Sequence, residues 1–294
     1  ATSSVYFMPI LPKVEFGNYM ADVASHEFLH IITPLNIHSE EIGYFDFQNP
    51  KMSKHLWLYE GATEYNAKYI QLRSGMVTMK DYVEEIDSKI KNSKTRHNDT
   101  LPFTTLSLTC LENQDEYLNV YEKGALINLC LDIELKELSG GAYGLQELIR
   151  DLSLKYGKDQ PFKDDELFDV IVGLTYPEIG TFFTKYVSGN NPLPLKADLA
   201  KIGLDYVENG KKMAYSFGFN KLGFDMSLGK FMIDSESSLD DFGRLLGYKK
   251  NDIIKSINGI EISYKNLKVF KELLLANLHD GAPIRVVVLR AKSE

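Results

Sequence analysis

Cysteine is nearly missing from this chain: Cys110 and Cys130 are the only two in 294 residues. Because the two stand apart they exclude a clustered cysteine site for structural zinc, and they leave open no more than a single disulfide between them. A surplus of positive charge is missing too. The 33 Lys plus Arg are outnumbered by 41 Asp plus Glu, leaving a net charge of −8, which argues against a nucleic acid partner because phosphate binding wants a basic face. The one basic cluster, Lys89, Lys91, Lys94 and Arg96, ends a helix predicted to begin near Thr78. Cations there complement the helix dipole, so the cluster reads as a solvated face. No apolar run reaches the roughly 18 residues of a membrane span. Internal repeats, low-complexity tracts, a nucleophile elbow and a Cys/His pair suited to covalent catalysis are all lacking. Gly140, Gly141 and Gly144 do not make a phosphate loop, since no strand precedes them and no Lys-Ser/Thr follows; they read as a helix stop.

The residues that are abundant suit a globular protein. At 44% hydrophobic and 25% charged residues, a chain of this length can bury a large core and reads as two domains. Histidine is scarce, six in all, yet two of the six stand four apart in His26-Glu27-Phe28-Leu29-His30. On a helix that spacing puts both imidazoles on one face, one turn apart, with Glu27 beside them to take a proton from water. The flanks support a helix: residues 19–32 lack Gly and Pro, carry Met20, Ala21, Val23, Ala24, Phe28 and Leu29, and stop before Pro34.

Two histidines do not complete a catalytic zinc site, which usually takes three protein ligands. A third histidine six residues on is excluded because Asn36 stands there. His38, Glu40 and Glu41 come after Pro34 and could fold back. The stronger candidate is Glu60, in the apolar and aromatic run from Leu56 to Tyr65, because a carboxylate in such surroundings needs a partner and a metal is one. Residues 53–73 are predicted as a long helix stopped by Gly75. Glu64, one turn beyond Glu60, is either a solvated helix residue or the acceptor of a hydrogen bond from a ligand imidazole.

These segments resemble the gluzincins, zinc peptidases with a His-Glu-x-x-His helix and a glutamate ligand on a following helix, and within them the glycyl aminopeptidase family. The resemblance rests on residues 26–30, on Leu56 to Tyr65 with its Glu-Gly-x-Thr-x-Tyr run, on Tyr121-Glu122-Lys123-Gly124, and on Phe182 to Gly189 with Pro192-Leu193-Pro194-Leu195 after it. It implies an α+β chain: a mainly helical, thermolysin/gluzincin-like catalytic domain over 1–208, then a small β-rich PDZ-like domain over 209–294. It implies one zinc ion on His26, His30 and Glu60, with Glu64 behind them. It also implies a zinc metallopeptidase, an aminopeptidase releasing small N-terminal residues such as Gly or Ala from a peptide or protein. In that reading zinc and Glu27 activate water, Glu27 passes the proton to the leaving amine, and Tyr121 hydrogen-bonds the oxyanion, a role a neutral phenol suits. The alternatives are a zinc endopeptidase, or a PDZ-centred peptide-binding protein with a weak or inactive peptidase domain.

The chain departs from its relatives at two places. Members carry a Gly-Gly-Leu-Glu-His-like segment shortly before the zinc helix, whose acidic residue lies near the substrate's amino end. Ala1-Thr2-Ser3-Ser4 resembles the stretch just beyond that segment, which implies an N-terminally truncated piece whose activity depends on a preceding β-rich domain. After the motif, where relatives continue with Leu-Trp-Asn and basic residues, this chain has Ile31 to Glu41.

Elsewhere the first two-thirds read as helical, with helices expected at 120–138, 144–155, 164–172 and 176–187 and a long polar loop at 95–117. Cys130 falls on the apolar stripe Leu126, Leu129, Cys130, Ile133 and reads as a buried thiol. Beyond about Asp205 short apolar runs at 213–219, 224–228, 231–233, 253–257 and 284–289, separated by Gly, Asn and Asp, read as strands, with a helix at 266–278. Leu222-Gly223-Phe224, Leu246 to Ile254 and Ile257-Asn258-Gly259 resemble the carboxylate loop and two further segments of the PDZ fold. That resemblance implies capture of a peptide C-terminus near Leu222, Gly223 and Phe224, although Lys221 replaces the loop's usual first glycine.

Overall fold

The computed structural model describes residues 4–6, 13–208, 210, 216–226, 228–263, 267, 278–279 and 281–290. The chain divides into two compact units, Ala1–Glu208 and Asn209–Glu294. Helix dominates the first and an antiparallel sheet the second, so the fold class is α+β.

The first unit carries α1 (Lys13–Leu29), the short α2 (Glu40–Gly43), a π-helical turn at Trp57–Gly61 that runs straight into α3 (Ala62–Arg73), α4 (Met79–Arg96), α5 (Phe103–Thr109), α6 (Asn119–Leu138), α7 (Leu145–Lys155), α8 (Leu167–Leu174), α9 (Pro177–Phe182) and α10 (Leu195–Lys201). α6 is the central member. Its Val120, every residue from Lys123 to Ile133, and Leu135 are buried, as expected of a helix that others pack against on several sides. Its Leu126, Ile127, Leu129, Cys130 and Leu131 join Trp57, Leu58, Tyr59, Phe103 and Phe183 in one core.

Several elements differ from the sequence reading. α1 starts earlier than residue 19 and ends at Leu29, so His30 lies in the turn after it. Residues 53–55, the start of the expected helix, are not helical. His55 is buried there, taking the Trp57 indole N–H on its Nδ1 at 3.0 Å and donating from Nε2 to the Asp164 carbonyl at 2.8 Å. Burial pushes the His55 pKa down, so the ring is the neutral one that this pattern of one donor and one acceptor requires. The loop expected at 95–117 contains α5 and a single 3₁₀ turn at Gln114–Glu116. Phe103, Leu106, Ser107 and Cys110 do recur at helical spacing and are buried, but the intervening Thr and Ser residues hid the pattern. Cys110 and Cys130 are both buried free thiols.

The second unit has β1 (Gly223–Asp225), β2 (Lys230–Met232), α11 (Asp241–Leu245), β3 (Ile253–Ile257), β4 (Ile260–Glu261) and β5 (Val286–Leu289). The sheet order is β1-β2-β3-β4, with β5 also on β3, and every pairing is antiparallel. Asn258 and Gly259, both at positive φ, turn β3 into β4. Inward residues Ile233, Leu239, Ile254, Ile257 and Ile262 form its own core. Asp252 has a fully buried side chain and accepts from Arg290 Nε and Nη2, each at 2.6 Å. That bidentate pair ties the loop before β3 to the chain just after β5. Most of the helix expected at 266–278 and residues 213–215 of the strand expected at 213–219 lie outside the described residues, and the described part of the latter, 216–219, is not a strand but makes one isolated bridge from Phe219 to Leu239.

One contact in the first unit sets how closely two site-bearing segments approach. A Cβ added at Gly61 would come within 2.7 to 2.8 Å of the Gly124 backbone, and one at Gly124 within 2.9 Å of Gly61 Cα. Only paired glycines allow this distance. Gly124→Ala should destabilise the chain by about 1–2 kcal/mol in denaturant unfolding. The overpacking cost of about 1–3 kcal/mol exceeds the gain in helix propensity of about 1 kcal/mol. Stability equal to or above that of the parent would contradict the contact.

Candidate active site

α1 delivers His26 from its last turn, and the chain's exit delivers His30 just beyond it. Each ring is oriented through its Nδ1. His26 Nδ1 donates to Glu64 Oε2 at 2.8 Å, and His30 Nδ1 donates to the Thr33 carbonyl at 2.8 Å. Both Nε2 atoms are thereby turned toward the same oxygen: Glu60 Oε2 lies 3.2 Å from that of His26 and 3.5 Å from that of His30. The two rings meet edge to face with centroids 4.8 Å apart. Glu27 belongs to the same cluster, its carboxylate and the two imidazoles all offering donor atoms within 4.8 Å of one another. Glu60, whose Oε2 lies within 3.5 Å of both Nε2 atoms, comes from a separate element.

Glu60 owes its position to the π turn. The residues around it, Trp57, Leu58, Tyr59 and Gly61, are all buried, so the carboxylate has little water and needs these imidazoles as partners. A π turn is wider than an α turn and commonly marks a functional site. Here Asn128 braces it from α6, its amide donating to the carbonyls of Trp57 at 2.7 Å and Gly124 at 2.8 Å. Because Gly124 lies against Gly61, the first turn of α6 brings Tyr121 beside the histidines, its ring 5.8 Å from that of His26. The Tyr121 hydroxyl is 3.3 Å from that of Tyr117. Burial, reinforced by the negative charge of Glu60, pushes the phenol's pKa up, so it stays neutral.

The electrostatics form one coupled set. Burial alone would raise the pKa of Glu60, but hydrogen bonds from His26 and His30 outweigh it and hold the carboxyl near 2. Burial acts on Glu64 in the same way, and the His26 hydrogen bond with the charge of Lys89 brings it to about 2 as well. For His26 burial would lower the pKa, yet Glu60 and Glu64 raise it to about 9. His30 is raised too, burial again being outweighed, chiefly by its hydrogen bond to Glu60.

Glu60, Glu64, Tyr121 and the two histidines are thus brought together, and Glu27 is adjacent. Leu222, Gly223 and Phe224 belong to the other unit: Gly223 and Phe224 open β1 and pair with Met232 and Phe231. Lys89 corrects the sequence reading. It is buried, not solvated, with its ammonium 2.7 Å from Glu64 Oε1. The signal is present in the sequence, since Tyr82, Ile86, Lys89, Ile90 and Ser93 form the buried stripe of α4, but the neighbouring cations disguise it as a charged face. A cavity of about 580 Å³ lined by Leu29, Ile32, Ala62, Ile149 and neighbours does not hold the cluster. Leu29 lies roughly opposite Glu27 around α1.

For the chelator-treated chain these shifts set the sign of the pH response. His26, with its pKa raised from 6.5 to about 9, contributes stability fully below 6.5 and loses it as pH rises through about 9. Glu60 and Glu64, lowered from 4.5 to about 2, contribute above 4.5 and lose that contribution as pH falls toward 2. An NMR titration of His26 should give a midpoint near 9 that moves down in Glu60→Gln. A midpoint near 6.5 in the parent would contradict the arrangement.

Comparison with known proteins finds a family model that matches part of the chain and a likeness of fold. Residues 19–127 match the family model of the M61 glycyl aminopeptidases. The structure resembles the crystal structure of an aminopeptidase N family protein from Idiomarina loihiensis, with a TM-score of 0.63 and 18% sequence identity over 97% of this chain and 51% of that one. The chain therefore spans about half the length of that neighbour, and at this identity the likeness is one of fold. No curated protein sequence matches the chain significantly.

Proposed function

We propose, from the match of residues 19–127 to the M61 glycyl aminopeptidase family model, that this chain is a zinc-dependent peptidase whose ligands are His26, His30 and Glu60. The observation that carries the reading is the convergence of two imidazole Nε2 atoms on one carboxylate oxygen at 3.2 and 3.5 Å, with each Nδ1 already engaged. Two neutral nitrogens and one carboxylate are a usual donor set for catalytic zinc, so the residues fit the ion. In that site zinc supplies Lewis acidity, polarising the scissile carbonyl and acidifying water.

The chain's own groups do the rest. Glu27, beside both imidazoles, takes the proton of the attacking water and returns it to the leaving amine. Tyr121 donates its phenolic hydrogen to the developing oxyanion, which its neutrality permits. Glu64 holds His26 by its Nδ1 so that Nε2 stays directed at the ligand position.

In this reading the first unit is a gluzincin-like catalytic domain and the second a PDZ-like domain. The five-stranded antiparallel sheet, the short helix Asp241–Leu245 and the Asn258-Gly259 turn support the latter. There Leu222, Gly223 and Phe224 would receive a peptide C-terminus. The match to the glycyl aminopeptidase family supports, as the substrate in this reading, a peptide with a small N-terminal residue, Gly or Ala, and, as the reaction, removal of that residue.

Hydrolysis of matched peptides with free and acetylated N-termini, by protein with and without chelator treatment, tests this. Activity should require zinc and a free amine. Glu27→Gln should lower kcat by about 100-fold or more while the zinc content is unchanged. A loss below about tenfold would remove Glu27 as general base, and hydrolysis of the acetylated peptide would make the enzyme an endopeptidase.

A further inference from the structure

Lys89 is a buried cation outside the set of proposed ligands, and its ammonium faces three carboxylates. Its side chain is 10% exposed, and its ammonium lies 2.7 Å from Glu64 Oε1, 3.3 Å from Glu85 Oε1 and 3.7 Å from Glu122 Oε2. Glu64 uses its two oxygens for two different partners: Oε1 for Lys89, and Oε2 for His26 Nδ1 at 2.8 Å. Glu122 is next to Tyr121 in the chain, and its Oε1 accepts from the Asn92 amide at 2.9 Å. A continuous series of contacts therefore runs from His26 through Glu64 and Lys89 to the first turn of α6.

We infer that Lys89 is a positioning residue of the metal centre: its ammonium fixes Glu64 in the orientation that engages His26 Nδ1 and, through Glu122, ties that carboxylate to the helix carrying Tyr121. The inference rests on the zinc reading above. A carboxylate held only at Oε2 can swing about its side-chain torsions, whereas one held at both oxygens cannot. The lysine also separates three carboxylates that would otherwise repel one another across a partly buried space. Burial alone would lower the ammonium's pKa, but the charge of Glu64 outweighs it and raises the pKa, so Lys89 stays a cation at neutral pH. α4 contributes neither ligand nor base, and through this one side chain it still reaches the imidazole that would bind zinc.

The test is zinc affinity by chelator competition on the full chain, with Lys89→Met and Lys89→Arg made in the parent and in Glu64→Gln. Lys89→Met should weaken zinc binding about tenfold in the parent, the low end for loss of an outer partner of a metal ligand. Lys89→Arg, which keeps the charge, should recover most of that affinity. In the Glu64→Gln background, where the group through which Lys89 acts is altered, Lys89→Met should change affinity less than about twofold. Equal losses in both backgrounds, or parental affinity in Lys89→Met, would overturn the inference, since a lysine that only supports the fold would give one of those results. If Lys89→Met does not fold, Lys89→Gln replaces it and the same outcomes apply. A parent chain that binds no zinc overturns the zinc reading itself, and this inference with it.

Discussion

The carboxylate of Glu60 is the group on which the first unit turns. It sits in a π turn whose other members are buried, so it can remain ionised only if cations or a metal meet it. The two Nε2 atoms from the end of α1 meet it, and that requirement fixes α1 against the start of α3. In the proposed zinc site, metal chemistry and fold stability therefore draw on the same contacts. In a chelated chain protons on the imidazoles would do the neutralising, and binding of the ion would displace them.

Around that centre the support is arranged in steps. The Gly61 and Gly124 backbones touch, which sets the distance between Glu60 and Tyr121. Asn128 ties the Trp57 carbonyl of the π turn to the Gly124 carbonyl of α6, and Lys89 carries the influence of α4 through Glu64 to His26. Each brace comes from a helix that contributes none of the proposed zinc ligands. That is how a site on helix ends can be held as rigidly as catalysis demands.

Much of this was legible in the sequence because the motif residues announce themselves. His26, Glu27 and His30 keep helical spacing, and Glu60 stood out as an acid in an apolar run. The features that the sequence hid have physical causes. The π turn looks like ordinary helix in a periodicity pattern. A buried lysine looks like its solvated neighbours until the stripe of Tyr82, Ile86 and Ile90 is weighed beside it. α5 was masked by Ser and Thr, which are polar in composition yet bond back to their own helix, as Ser107 does to the Phe103 carbonyl. In the second unit β3 was plain from its apolar run, but β4, two residues long, carries too few residues to show a period.

The central claim is that His26, His30 and Glu60 bind one zinc ion. Anomalous diffraction at the zinc edge, from crystals grown with the ion, tests it most directly. The account predicts a single peak within about 2.0–2.2 Å of both Nε2 atoms and of a Glu60 carboxylate oxygen. A peak on other residues, or one on the histidines with Glu60 turned away, would contradict it.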